Sequence, residues 1–112
     1  MPEDKSKKID KSLDGLDDQI VDIVGKFVKR RRDHYEKAAK RLHENMKKDA
    51  KRYAIMLADG KIDQEDFEML MQGRMTQLKI ELLSEVSISK AKFDDIAGDL
   101  FKVTVNTLIA AI

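Results

Sequence analysis

Ala58-Asp59-Gly60-Lys61-Ile62-Asp63 is the one strong interruption in a helical sequence, and its reading decides the fold. Gly60 can take the left-handed backbone that ends a helix, and the Asp63 side chain can accept from the first amides of the next one. With Asp63 as N-cap, Asp66 falls at the third helical position, while Ile62 and Phe67 occupy the two places of a hydrophobic staple. A helix, a tight turn over residues 59–62 and a second helix are expected.

On the N-terminal side, Leu13, Leu16, Ile20, Val24, Phe27, Tyr35, Ala38, Leu42, Met46, Tyr53 and Leu57 are spaced by three, four or their sums, which predicts a helix over 13–58. On the C-terminal side the same spacing runs from Phe67 to Ile112 and predicts a helix over 63–112. The pattern weakens only from Ser84 to Ser89, where helix propensity is modest and a bend near Ser87 is expected. Folded back at Gly60, the two arms match in length at about 70 Å each. Leu13 then lies near Leu108, Ile20 near Phe101, Val24 near Ala97 and Phe27 near Phe93. The expected fold is all-α, a long antiparallel two-helix hairpin over 13–112 preceded by a flexible charged arm over 1–12.

The 112 residues hold no Cys, one Pro and five Gly, and carry a net charge of +1. Disulfides and thiolate metal sites are thereby excluded. The charge is uneven: residues 1–25 sum to −3, 26–52 to +8 and 59–112 to −4. The N-terminus is charged where a signal peptide is apolar, and no apolar run reaches membrane-spanning length, so a soluble cytoplasmic protein is expected.

Two helices side by side bury only a narrow seam, which argues for further partners. In residues 93–112, Asp95, Asp99, Lys102 and Asn106 form one polar strip, and apolar side chains cover most of the remaining circumference. Val21, Ile23 and Val28 widen the apolar stripe of the first arm likewise. The expectation is a homo-oligomer, most simply a coiled-coil-like dimer of hairpins forming a four-helix bundle. Its interface would comprise Leu13, Leu16, Ile20, Ile23, Phe27, Phe93, Ile96, Leu100, Phe101, Val103, Val105, Leu108, Ile109 and Ile112. Membrane contact by 93–112 is the rival, against which stand its acidic strip and the lack of flanking Trp or Tyr.

Lys-x-x-Lys-Arg occurs three times at eleven-residue spacing: Lys26, Lys29, Arg30; Lys37, Lys40, Arg41; Lys48, Lys51, Arg52. Eleven residues make almost three helical turns, so a continuous helix stacks these cations along one side. Such a ridge suits a polyanion, either nucleic acid or an acidic partner. A solvated face is favoured instead. Asp22, Asp33, Glu36 and Glu44 each precede a lysine by four residues, and no aromatic interleaves the cations for base stacking. The period resembles that of synucleins and apolipoproteins, but their lysines flank the apolar face, whereas these oppose it.

Residues 59–67 resemble the second half of an EF-hand loop, yet Ile55 and Leu57 would occupy its first ligand positions and cannot bind calcium. Leu57 through Leu70 also resembles the Gly-x-Ile-x-x-Glu-x-Phe turn of short bacterial hairpin modules of the short-C-terminal-domain type, which implies a helical hairpin. His34 and His43 point to opposite sides of a helix and are expected to face solvent. Met56, Met69, Met71 and Met75 cluster near the turn, as gap fillers or as a soft docking surface. No nucleophile triad, phosphate loop or His-Glu-x-x-His motif occurs, so neither catalysis nor a cofactor or metal is expected.

Overall fold

The described residues form five helices: α1 (Pro2–Asp14), α2 (Leu16–Phe27), α3 (Arg32–Ala58), α4 (Gln64–Leu83) and α5 (Lys90–Ala111). This computed structural model describes residues 2–112, with side chains from Ser6 onward. No strand occurs among the described residues.

The turn between α3 and α4 is built as its sequence requires. Gly60 takes φ 76°, and Asp63 caps α4 by accepting from the Asp66 amide at 2.8 Å. The Asp66 carboxylate accepts in return from the Asp63 amide at 3.4 Å, closing a capping box. Phe67 is fully buried and Ile62 packs against the core, as a staple requires.

Neither arm is continuous. The second breaks where its pattern weakens: Ser84 ends α4, and the Ser89 side chain accepts from the Lys92 amide at the start of α5. The first breaks over residues 28–31, where a helix over 13–58 is expected. Val28 turns extended at φ −131°, ψ 128°, and Arg31 takes the left-handed conformation at φ 58°, ψ 35°. That conformation costs a non-glycine residue about 1–2 kcal/mol. It is offset by burial, since the turn lets α2 fold back onto α3 with Ile23, Val24 and Val28 inside.

Both breaks lie at the same end, so the long hairpin doubles over. α3 packs on α4 and on α1 and α2, and α5 closes the ring against α1, α2 and α4. Gly15 keeps helical dihedrals between α1 and α2, which run on as one interrupted rod. The product is an up-down-up-down four-helix bundle of 45 × 23 × 19 Å.

Charged side chains record the register. Lys47 and Lys51 of α3 reach Asp14 and Asp10 of α1, at 3.1 and 3.0 Å. Arg74 ties α4 to Asp49 of α3 at 2.6 Å, and Lys26 ties α2 to Asp99 of α5 at 3.1 Å. The last pair lies close to the expected alignment of the first arm with residues 93–112.

The N-terminal arm also differs from expectation. Residues 2–14 are helical, and Ile9 is fully buried. Ile9 extends the spacing of Leu13, Leu16 and Ile20 by one further four-residue step, so the apolar stripe begins inside the charged stretch.

Candidate interaction surfaces

The fourteen residues expected to join two chains are used mostly within one. Leu13, Leu16, Ile20, Ile23, Phe93, Ile96, Leu100, Val105 and Leu108 are buried in the core. Phe101, Val103 and Ile109 are half-buried against it, and only Phe27 and Ile112 remain exposed. The four-helix bundle expected from two hairpins is thus made by a single chain. α5 packs against α1, α2 and α4, with Phe93, Ile96, Leu100, Val105 and Leu108 inside. No helix among the described residues is long and apolar enough to cross a membrane.

The basic ridge is interrupted as well. Lys26 belongs to α2, Lys29 and Arg30 to the connector, and the other six cations to α3. The expected four-residue pairs do not form. Lys26 binds Asp99 rather than Asp22, and Glu44 lies 3.1 Å from Lys47 rather than pairing with Lys48. Arg41 pairs with Glu85 and Lys51 with Asp10, which makes these two cations ties of the bundle, whereas Arg52 pairs with Asp49 inside α3.

His34 is exposed as expected, but His43 is not. It is only 1 % exposed, and its Nε2 lies 2.8 Å from the Leu13 carbonyl oxygen. A carbonyl only accepts, so Nε2 carries the proton and donates. Spacing gave no signal for this: Arg41 and His43 both flank Leu42, and the packing of α1 against α3 buries only His43. No group of three metal-ligating side chains occurs among the described residues.

Two concave surfaces stand out among the described residues. The larger is a groove of about 540 Å³ between α4 and α5, lined by Glu65, Glu68, Met69, Gln72, Gly73 and Phe101. It continues past Thr76 and Gly98 to Lys79 and Asp94. α4 is apolar on both sides. Phe67, Met71, Met75, Leu78 and Leu82 face the core, whereas Met69 is 67 % and Ile80 61 % exposed. The four methionines therefore divide: Met71 and Met75 fill the core and Met69 stands outside, with Met56 half-buried. A side chain at Gly73 or Gly98 would meet nothing within 4 Å. At the far end, Lys90 donates to Asp94 at 2.9 Å and Lys79 lies 2.9 Å from its other oxygen. These two ammonium groups hold the Asp94 carboxyl below the usual carboxylate range.

The second surface is a pocket of about 270 Å³ at the doubled-over end, lined by Arg31, His34, Lys37, Arg41, Ala38 and residues 86–88. Its wall is pinned twice. The Arg31 guanidinium donates to the Ser87 carbonyl at 3.4 Å, and the Ser89 amide donates to the Tyr35 hydroxyl at 2.9 Å. The molecule is thus defined by its geometry as an up-and-down helical bundle with one apolar groove and one basic corner. No family model matches the chain, and neither a curated protein nor a solved structure does.

Proposed function

We propose that this chain is a non-enzymatic interaction module that seats a basic amphipathic helix of a partner protein in the groove between α4 and α5. The observation that carries this is the second apolar side of α4, where Met69, Gly73 and Ile80 align at helical spacing away from the core. A helix that packs on one face only has no need of such a side. The groove extends for about 20 Å along residues 65–79, enough for about four turns of a docked helix.

Charge selects the occupant. Glu65 and Glu68 stand at the rim, Asp66 and Glu81 are exposed on the same helix, and Lys79 is already held by Asp94. A second copy placed α4 against α4 would bring these carboxylates together, whereas a lysine-bearing helix complements them. Most of the apolar residues expected to carry self-association are buried within the chain, which favours another surface for interaction. Interaction is retained as the function, with its site moved to the groove.

The test is chemical-shift mapping of the labelled protein with an 18-residue Leu/Lys amphipathic helix and its Leu/Glu counterpart. The Lys peptide should shift Met69, Gly73, Gly98 and Phe101, and Gly73→Leu, which fills the groove, should abolish the effect. Shifts elsewhere, no shifts, or equal binding of the Glu peptide would refute the proposal. Doubling of the mass without peptide, reversed by Gly73→Leu, would identify a second copy as the occupant and also count against it.

A further inference from the structure

Ion pairing thins over residues 29–40, between the pairs that Lys26 and Arg41 make at the doubled-over end. In α3, Arg41, Lys47, Lys51 and Arg52 each have a carboxylate partner. Among the described residues, Lys29, Arg30, Arg31, Arg32, Lys37 and Lys40 have none within 4 Å, although they crowd into twelve positions. Like charges so placed repel one another, and a bound anion relieves that repulsion.

The crowding surrounds a concavity. His34, Lys37, Ala38 and Arg41 fall at i, i+3, i+4 and i+7 and so form one stripe of α3, facing Val86, Ser87 and Ile88 of the α4–α5 connector. Arg31 closes the rim, and its bond to the Ser87 carbonyl joins the two walls. Three acids stand nearby. Glu85 pairs with Arg41, Asp33 lies 4.0 Å from His34, and Glu36 lies within the same stretch but off the stripe of His34, Lys37 and Arg41, so Arg31 and Lys37 are the cations left for a ligand. Guanidinium and ammonium donors on two sides suit an anion with several oxygens, and Ala38, Val86 and Ile88 offer an apolar floor to whatever carries it.

We propose that this corner pocket, at the break between α2 and α3, is a binding site for a phosphomonoester. The site is independent of the α4–α5 groove, and its ligand is either a soluble phosphate ester or a lipid headgroup of the same chemistry.

Glycerol 3-phosphate is the soluble probe, titrated against the labelled protein at 150 mM salt. Phosphatidylcholine vesicles with and without 20 % phosphatidic acid, read by flotation, are the lipid probe. Binding of glycerol 3-phosphate with shifts at His34, Lys37 and Ser87 identifies a soluble ester as ligand, and flotation only with phosphatidic acid identifies a headgroup. Lys37→Gln and Arg31→Gly should each weaken binding at least about tenfold. Arg31→Gly removes the guanidinium while suiting the left-handed backbone, so it should melt no lower than the parent and separates loss of binding from loss of fold. Lys48→Gln, an exposed unpaired lysine about 16 Å along α3 from Lys37, should bind as the parent does. Failure of both probes, or equal weakening by Lys48→Gln, would overturn the assignment.

Discussion

His43 of α3 donates to the carbonyl of Leu13 across 2.8 Å, inside the bundle and at the last turn of α1. Helix ends leave their final carbonyls without partners in their own helix, so a buried donor from a neighbour is worth more here than elsewhere. The bond also sets register, because Lys47 and Lys51 continue the same side of α3 to Asp14 and Asp10.

Replacing His43 with Ala should lower stability by about 2–4 kcal/mol, from the orphaned carbonyl and the cavity together. His43→Phe keeps the volume and should still lose about 1–3 kcal/mol. His34→Ala, at the surface, should stay within about 0.5 kcal/mol. Urea midpoints at unchanged slope decide the matter, and equal effects at the two histidines would contradict the buried assignment.

Gly73→Ala and Gly98→Ala should each raise stability by about 0.5–1 kcal/mol, since a methyl at either meets open space and glycine weakens helix interiors. Thermal melts should rise by about 2–8 °C for each. If the groove serves a partner, the same substitutions weaken peptide binding. Destabilisation by either would show that the glycines pack within the chain.

Asp94 joins the end of α4 to the start of α5 through Lys79 and Lys90. Its folded pKa is depressed by these cations, so the stability it contributes is full above the unfolded value near pH 4 and is lost as pH falls through the lower folded value. Asp94→Asn should lose about 0.5–1 kcal/mol at pH 7, because the pair is only partly shielded from solvent. The gap between parent and variant, read from urea midpoints, should shrink as pH falls from the unfolded value through the lower folded one. A gap that did not shrink would assign the effect to packing.

The α3–α4 turn was legible because four local features, Gly60, Asp63, Asp66 and Phe67, agree on one boundary. The weak stretch at Ser84–Ser89 was legible from propensity. The break at 28–31 was not, since arginine favours helices and neither Gly nor Pro marks the place. One sign was present. The apolar series jumps from Phe27 to Tyr35, and Arg31 stands where a continuous helix would next bury a side chain. The apolar residues of 13–28 and 93–112 were correctly read as needing cover, but periodicity states that a face is buried and not whether its own chain or another buries it. His43 was missed for a related reason: which neighbour lies beside a helix stripe depends on a fold-back that the local pattern does not encode.

Small-angle scattering of the chain at several concentrations tests most directly the claim that one chain completes the bundle. A particle with the mass of a single chain and a radius of gyration close to the 14.1 Å of the Cα trace is expected. A rod about 70 Å long, with a radius of gyration of about 20 Å, or twice the single-chain mass at every concentration, would contradict it.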